Sequence, residues 1–347
     1  MKTIKHDFDF KATGIGSVPS TDICGTCRKV LESFPDIPFW PQFVKNSPFE
    51  DMSIQFSEAL PLLYVNKENR SLHVSNKEIE SELTQFYEHY LSEDMDYFRI
   101  TKSYSVGLYK MIEMINQKPD ECGAFIKGQT VGPATFAAGI MNRDGKSILS
   151  DENLLEAYCK GLAIKALWQV KELEKTGKRV IIFLDEPYLS GFGSAFSPIQ
   201  RHDVIRLLDE IISYLKEKSE ALVGIHCCGN TDWSMLIEAH PHIINFDAYG
   251  YMDYFLLYPK EISGFINSGG IIAWGIVPTA DFTGDETLEL LHEKLQRGIK
   301  HLSDYGIDPD LIRSNSILTP ACGMGSISEE SADKVLELVS LLSRSMT

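Results

Sequence analysis

The chain has 347 residues, 44% of them hydrophobic, and its 33 lysines and arginines against 49 acidic residues give a net charge of −16. This apolar content supports a folded core and excludes a disordered or collagen-like chain. The acidic balance argues against a surface that binds nucleic acids or anionic membranes. The sequence has no apolar run of about 18 residues and begins with the polar segment MKTIKHDFDF, so we expect a cytoplasmic protein without a signal peptide or membrane span.

Short apolar runs recur along the chain, each followed by a polar or glycine-rich break. Several of them, such as VIIFL and IIAWGI, are apolar throughout, which is typical of strands buried on both faces. We interpret eight runs as strands. They are Ala12–Gly16, Ile37–Gln42, Gly123–Lys127, Arg179–Leu184, Ala221–His226, His242–Phe246, Gly270–Gly275 and Ser316–Thr319.

Longer stretches with apolar residues at helical spacing lie between these runs. The clearest are Asp151–Thr176, Ser197–Lys218, Glu286–Leu302 and Glu329–Leu342. Alternating strands and helices imply parallel strands joined by right-handed crossovers. Eight such units predict a (β/α)₈ TIM barrel that comprises residues 1–347 as a single domain, with a doubly wound open sheet as the alternative. The stretch of about 43–101 is long for one connection, so we expect an insertion over the barrel mouth after strand two.

The residues that close the predicted strands are unusual. In a parallel barrel the active site lies at the carboxyl ends of the strands. Polar, ionisable and glycine residues gather at this end of each predicted strand, whereas chance would scatter them to both ends. The candidates for function at these positions are Ser17, Gln129, Asp185, Glu186, His226, Cys228, Asp247 and Cys322.

The sharpest group is His226 and Cys228 together with Cys322. An imidazole and soft thiolates are the ligands that zinc prefers. Residues i and i+2 on an extended strand point the same way, so His226 and Cys228 can both face the mouth while Cys227 faces away. Cys322 closes strand eight, which neighbours strand one in a closed barrel, and it therefore reaches the same rim. Ligands from distant strands are typical of catalytic zinc, and the alternative is three unrelated buried residues.

The other cysteines have simpler interpretations. Seven cysteines are an odd number for a disulfide framework in a chain that we expect to be reduced. Cys24 and Cys27 form a C-x-x-C pair at the start of a predicted helix, without a second pair, and we interpret them as structural. Cys122 and Cys159 are interpreted as packing residues.

Asp185 and Glu186 open the loop after strand four. They are either carboxylates that orient a substrate amine or exchange a proton, or an acidic pair that caps and solvates the loop. Ser17 follows Gly16, and its hydroxyl with the adjacent N–H groups offers a site for a carboxylate or an amine. The segment GIGSVP lacks the G-x-G-x-x-G dinucleotide pattern. Aromatic residues near the mouth suit a core or a lid better than cofactor stacking: Trp40, Phe192, Phe196, Tyr249 and Trp274.

Six segments occur in one order along nearly the whole chain: TGIGSVPSTD, KGQTVGPATF, FLDEPYL, HCCGNTDW, INFDAY and LTPACGMGS. This pattern resembles the C-terminal catalytic barrel of cobalamin-independent methionine synthase. It also resembles the wider group of zinc methyltransferases and uroporphyrinogen decarboxylase-like barrels. The H-x-C motif with a distant cysteine is the most specific element of the resemblance.

The resemblance implies a TIM barrel in which zinc is bound by His226, Cys228 and Cys322, with Asp247 in the position of an acidic ligand. It implies that Ser17 and Asp185 contact the acceptor, and that Asp185 has a catalytic role. Gln129 and Glu186 lie in the matching motifs and join the predicted substrate-binding set. The implied activity is S-methyl transfer from methyltetrahydrofolate or a methyl-corrinoid protein to a homocysteine-like or coenzyme M-like thiol.

The sequence also departs from the family pattern. Asp247 stands where methionine synthase has Glu, and the His-Gly-Glu segment that grips homocysteine has no counterpart, since that region reads FWPQFVKNSPFEDMSIQFSEALP. We find no second, N-terminal barrel, and the short relatives in anaerobes take methyl groups from corrinoid proteins. Two alternatives stay open. One is a metal-free decarboxylase of tetrapyrroles, which needs more basic residues than Lys127, and the other is a non-catalytic zinc- or corrinoid-binding partner protein.

Overall fold

The computed structural model describes residues 6–75, 77–142, 144–193 and 199–346. The strands are β1 (Lys11–Ala12), β2 (Leu63–Asn66), β3 (Ser71–Val74), β4 (Phe125–Val131), β5 (Ile140–Met141), β6 (Arg179–Asp185), β7 (Leu222–Cys227), β8 (Ile243–Phe246), β9 (Ile271–Val277) and β10 (Ser316–Pro320). The helices are α1 (Ile23–Ser33), α2 (Ile79–Leu91), α3 (Val106–Gln117), α4 (Pro133–Gly139), α5 (Glu152–Glu174), α6 (Arg201–Lys218), α7 (Trp233–Glu238), α8 (Ala248–Phe255), α9 (Pro259–Asn267), α10 (Leu288–Asp304), α11 (Pro309–Ser314) and α12 (Glu329–Met346).

Seven strands form one curved parallel sheet in the order β1-β10-β9-β8-β7-β6-β4. The first and last strands of the chain, β1 and β10, are therefore neighbours, as closure of a barrel requires. Helices follow the strands on the outside. The predicted TIM-barrel fold is confirmed, and each regular barrel strand overlaps one of the predicted runs.

The segment of residues 38–42 closes the barrel between β1 and β4. It forms parallel bridges from Gln42 to Ser17 and from Phe39 to Lys127. The Trp40 N–H donates to the Lys127 carbonyl at 3.3 Å, and the Gln42 N–H donates to the Gly16 carbonyl at 3.0 Å. The predicted second strand is thus in place but is not a regular strand. Its two prolines, at positions 38 and 41, have no N–H group to give to a continuous ladder.

The barrel interior is layered, because side chains alternate between inside and outside along each strand. The lower layer is a separate buried apolar cluster: Phe8, Ile15, Ile37, Ile181, Phe183, Leu222, Ile243, Ile271, Ala273 and Ile317. Two residues further along the same strands the interior becomes polar, with Asp185 after Phe183, Asn245 after Ile243 and Thr319 after Ile317. The apolar layer is therefore a floor on which the polar strand ends stand.

The insertion after residue 42 contains two short 3₁₀ helices, Pro48–Glu50 and Ile54–Phe56, the antiparallel hairpin β2–β3 and helix α2. Strand β5 pairs in parallel with β3, so the hairpin extends into a second, three-stranded sheet. Buried Glu50 ties the insertion to the barrel by accepting hydrogen bonds from the N–H groups of Phe43 and Val106, each at 3.0 Å.

The four predicted long helices are present as α5, α6, α10 and α12, with shifted ends. The predicted start at Ser197 lies outside the described residues, within which α6 begins at Arg201. Cys159 is buried and its thiol donates to the Leu207 carbonyl at 3.4 Å, which fits the packing role expected of it. In the described part of the chain, no helix has the length and apolar character needed to cross a membrane.

Candidate metal centre and its cavity

His226 lies near the end of β7, and Cys228 and Cys322 lie just beyond β7 and β10. One side-chain donor atom from each residue, a ring nitrogen or a sulfur, lies within 4.8 Å of the other two. Around tetrahedral zinc, such atoms are about 3.5–3.8 Å apart, given Zn–S near 2.3 Å and Zn–N near 2.0 Å. The nitrogen and two sulfurs therefore fit zinc after a small contraction, and they leave a fourth position. Cys227 faces away, as predicted, and burial raises the pKa of its thiol to about 12.

The sulfurs of Cys228 and Cys322 interact directly. A hydrogen bond from the Cys322 thiol lowers the pKa of Cys228, and the same bond raises the pKa of Cys322. Burial lowers the pKa of His226, but the hydrogen bond and the charge of Cys228, aided by Asp185, outweigh this and raise it. Two thiolates this close repel each other unless a cation lies between them. The group is thus suited to exchange its protons for a metal ion.

Asn245, on β8, fixes the orientation of the histidine. Its amide nitrogen donates to the Ala273 carbonyl at 2.9 Å and to the Thr319 hydroxyl at 2.8 Å. Its amide oxygen therefore faces Nδ1 of His226 at 2.5 Å and accepts a hydrogen bond from it. With the proton on Nδ1, the lone pair of Nε2 is free to bind a metal. Sequence reasoning missed this residue, although a buried Asn in the apolar run IINF was a signal.

Asp185 is the last residue of β6 and only 4% exposed. Its Oδ1 atom is buried and has no hydrogen-bond partner among the described residues. Burial raises the pKa of its carboxyl to about 6, against the opposing charges of Lys127 and His226. Buried polar atoms are nearly always paired in proteins, so this oxygen is available for a group of a bound molecule.

Glu186 lies next in sequence and points elsewhere. Its carboxylate accepts hydrogen bonds from the N–H groups of Ala134 and Thr135 at 2.9 and 2.7 Å, and from the Thr135 hydroxyl at 2.6 Å. It is fully buried and caps the first turn of α4. This geometry gives Glu186 a structural role and lends no support to its predicted contact with a substrate.

Gln129 lies inside the barrel wall, where its amide nitrogen donates to the Trp40 carbonyl at 3.1 Å. Its side-chain oxygen accepts a hydrogen bond from Lys127 at 3.1 Å, so both ends are engaged. Lys127 is fully buried, donates also to the Ile15 carbonyl and lies over the Phe183 ring at 4.6 Å. Burial lowers the pKa of this lysine to about 7. The predicted substrate contact of Gln129 is likewise without support from the geometry.

Asp247 follows β8 and is the N-cap of α8, where its carboxylate accepts a hydrogen bond from the Gly250 N–H at 2.7 Å. It is not among the three side chains whose donor atoms converge. Burial raises the pKa of its carboxyl, and the backbone hydrogen bonds oppose this. Its role as a fourth zinc ligand stays a prediction.

A cavity of about 390 Å³ opens above the three converging side chains. It joins barrel residues to residues of the insertion. Its described lining is Ile15, Ser17, Gln42, Val44, Asp51, Met52, Arg70, Asp185, Pro187, His226, Cys228, Cys322, Gly323, Gly325 and Ser326. The structure thus brings together five of the predicted site residues, namely Ser17, Asp185, His226, Cys228 and Cys322. Gln129, Glu186 and Asp247 do not line this cavity.

Ser17 is held at the cavity wall by the segment after β10. Its hydroxyl accepts a hydrogen bond from the Gly325 N–H at 3.2 Å, and its carbonyl accepts one from the Met324 N–H at 2.9 Å. Among the described residues, no acceptor for the Ser17 hydroxyl hydrogen is found, and a bound molecule can provide one. Ser17 therefore connects the segment that follows β1 to the segment that follows β10, which also contains Cys322.

The aromatic residues divide as expected between core and rim. Trp40 and Trp274 are fully buried, and their indole N–H groups donate to Gln169 and Ser316 at 2.8 and 2.9 Å. Phe192 and Tyr249 are half-buried, with the Lys294 ammonium 4.0 Å from the Tyr249 ring centre. Phe196 lies outside the described residues.

Comparison with solved structures shows the fold. A B12-independent methionine synthase from Shewanella sp. W3-18-1, in complex with selenomethionine, matches 96% of this chain and 97% of its own, with a TM-score of 0.58 and 17% identity. Two GH113 β-mannanases, one of them from Alicyclobacillus acidocaldarius, match 99% of this chain, and 99% and 100% of their own, with TM-scores of 0.44 and 0.46 and identities of 10% and 11%. No protein-family model and no curated protein matches the sequence. The methionine synthase structure supports the TIM-barrel architecture.

Proposed function

We propose that this protein is a zinc-dependent methyltransferase that methylates a small thiol. The observation that carries the proposal is the convergence of His226, Cys228 and Cys322 at a cavity that is also lined by Asp185. The Oδ1 atom of Asp185 has no hydrogen-bond partner among the described residues. One solved structure that resembles this chain over nearly its full length is named a methionine synthase, and that name describes methyl transfer to sulfur.

The zinc would be held by Nε2 of His226 and the sulfurs of Cys228 and Cys322. When bound, it would lower the pKa of an acceptor thiol, which is otherwise near 8.5, and so supply a nucleophile at neutral pH. Asn245 holds His226 in the tautomer that this requires.

Asp185 is the residue that we assign to proton transfer. With its pKa near 6, it is mostly ionised at neutral pH and can accept the proton that the acceptor thiol loses. A sulfur–carbon bond then forms as the bond from the methyl group to the donor breaks. The electron pair of that bond stays on the donor, which is cobalt in a methyl-corrinoid or N5 in methyltetrahydrofolate, and the proton passes from Asp185 to solvent or to the leaving nitrogen.

Metal analysis tests the first half of this proposal. Protein purified without chelator should contain about one zinc per chain. Cys322→Ala should lose it, while the matched variant Cys122→Ala should retain it, because Cys122 is not part of the described cavity lining. A content below about 0.2 zinc per chain, unchanged in Cys322→Ala, contradicts the proposal.

An assay with methylcobalamin or methyltetrahydrofolate and a panel of thiols tests the second half. Methylated thiol should appear with the wild-type protein and not with Cys322→Ala. Zinc without turnover on either donor would instead favour a non-catalytic partner protein. The decarboxylase alternative has little support from the cavity, since Arg70 is the single lysine or arginine in its described lining.

A further inference from the structure

The sulfurs of Cys228 and Cys322 are placed for a second chemistry besides metal binding. They lie within 4.8 Å of each other, and the Cys322 thiol donates a hydrogen bond to the Cys228 sulfur. The two sulfurs of a disulfide are about 2.05 Å apart, so these sulfurs need to approach by less than about 3 Å to form a bond. The pair is therefore a closely spaced dithiol as well as part of a ligand set.

The backbone at both cysteines lies outside regular structure. Cys228 is the first residue beyond β7, and Cys322 lies in a bend, two residues beyond β10. Each is followed by a glycine, Gly229 or Gly323, whose backbone is less restricted than that of other residues. The approach of the two sulfurs can therefore occur without a change in the hydrogen bonds of β7 and β10.

Both sulfurs can be reached from the cavity, because Cys228 and Cys322 are half-buried and line it. The neighbouring Cys227 does not compete with them, since it is fully buried and its thiol donates to the Gly229 carbonyl at 3.7 Å. The other four cysteines are outside the described lining: Cys24, Cys27, Cys122 and Cys159. A small oxidant that enters the cavity therefore meets this pair of thiols and no other in the described lining.

We propose that the metal-free centre is a modification site for hydroperoxides, which oxidise Cys228 and Cys322 to a disulfide that excludes zinc. The exclusion of zinc rests on the function proposed above, whereas the oxidation needs only the two sulfurs. The reactive form of a cysteine is its thiolate. Cys228 takes the first step, because its sulfur accepts the hydrogen bond that the Cys322 thiol donates.

The reaction consumes one hydroperoxide. The Cys228 thiolate attacks a peroxide oxygen and the O–O bond breaks, so that Cys228 becomes a sulfenic acid and the other oxygen leaves as an alcohol, or as water, after taking a proton from solvent. The Cys322 thiol then attacks the sulfenic sulfur, the S–O bond breaks, and the leaving oxygen takes the thiol proton to form water. The two sulfurs have lost two electrons to the peroxide. A disulfide offers no thiolate to a metal, so zinc and oxidation compete for one site.

Hydrogen peroxide is the probe, and the full-length chain is tested both as purified and after dialysis against a chelator. The metal-free protein should lose about 2 Da, the mass of two hydrogens. It should also lose two of its seven free thiols, and peptide mapping without reductant should link Cys228 to Cys322. Dithiothreitol should restore both thiols and the capacity to bind zinc. The zinc-loaded protein should oxidise at least about tenfold more slowly, because the metal holds the electron pairs of the sulfurs.

Two variants distinguish this pair from the adjacent thiol. Cys322→Ala should stop at the sulfenic acid of Cys228, which dimedone traps, and the matched control Cys227→Ala should form the same disulfide as the wild type. A disulfide between other cysteines, a disulfide between two chains, or no loss of thiols in excess peroxide overturns the inference while zinc binding stands. A Cys228–Cys322 disulfide in a protein that never binds zinc overturns the proposed function and leaves the oxidation in place.

Discussion

Two cysteine-containing regions of this chain lead to opposite conclusions. Cys24 and Cys27 are close in sequence, on α1, where Cys24 is exposed and Cys27 is buried with its pKa raised to about 12 by burial. Cys228 and Cys322 are far apart in sequence, yet their sulfurs converge with His226 at one end of the barrel. The difference shows that topology assembles this site: parallel strands bring their carboxyl ends to one rim, whereas a helix turn alone places no third ligand beside its two thiols.

The largest effect should come from exchanging one sulfur in each region. Cys228→Ser should lower zinc affinity by more than about a thousandfold, because a full ligand set supplies about 10–16 kcal/mol of binding free energy. Cys27→Ser should leave zinc affinity unchanged. The measurement is a competition titration with a chromophoric chelator. An equal loss of zinc affinity in Cys228→Ser and Cys27→Ser would show that the two cysteine regions do not differ in metal binding.

Asp185 and Glu186 are adjacent in sequence, but only Asp185 is in the described cavity lining, so we expect their substitutions to have different effects. Asp185→Asn should lower the rate of methyl transfer by about a hundred- to ten-thousandfold with zinc retained, since it removes the proton acceptor. Glu186→Gln should leave KM unchanged and lower the free energy of unfolding by about 1 kcal/mol, since it weakens a helix cap. Steady-state kinetics and denaturant titration measure the two effects. An equal loss of activity in both variants would indicate that Glu186 also contacts the substrate.

The carboxyl group of Asp185 also predicts how the rate of methyl transfer depends on pH. Burial places the pKa of Asp185 at about 6, and the ionised form is the one that accepts a proton. Methyl transfer should therefore rise as pH increases through about 6 and become nearly constant above it. The residual activity of Asp185→Asn should lack this step. A wild-type profile without a step near this pH would speak against the assigned role.

Substitutions at Asn245 test whether residues beyond the three proposed ligands contribute to the proposed zinc site. Asn245→Leu removes the acceptor for Nδ1 of His226 and should weaken zinc binding about ten- to a hundredfold. Thr319→Val, which removes only a partner of the Asn245 amide nitrogen, should have a smaller effect in the same titration. Nitrogen NMR of the metal-free protein should show Nδ1 protonated in the wild type. A dominant Nε2–H tautomer would refute the orientation inferred from the Asn245 amide.

Much of the barrel could be predicted from the sequence, since strands buried on both faces read as apolar runs with polar residues at one end. His226, Cys228 and Cys322 could be placed on one rim by the same logic. Contacts that a site residue makes with another strand, helix or hairpin could not be predicted in this way. The hydrogen bonds of Asn245 reach β9 and β10, and the Glu186 carboxylate binds the first turn of α4. Arg70 lines the cavity because the β2–β3 hairpin that contains it packs against Val44, which follows the segment of residues 38–42.

The smallest expected effect is at Cys24, which tests whether the Cys24–Cys27 region is independent of the proposed zinc site. This thiol is exposed, and the nearby α1 cap is supplied by Asp22, whose carboxylate accepts a hydrogen bond from the Gly25 N–H at 3.0 Å. Cys24→Ser should therefore change the free energy of unfolding by less than about 0.5 kcal/mol and leave zinc content and methyl transfer as in the wild type. Denaturant titration and metal analysis of one preparation measure all that is needed. A change in zinc content here would mean that the C-x-x-C pair takes part in metal handling, and the distinction between the two cysteine regions would no longer hold.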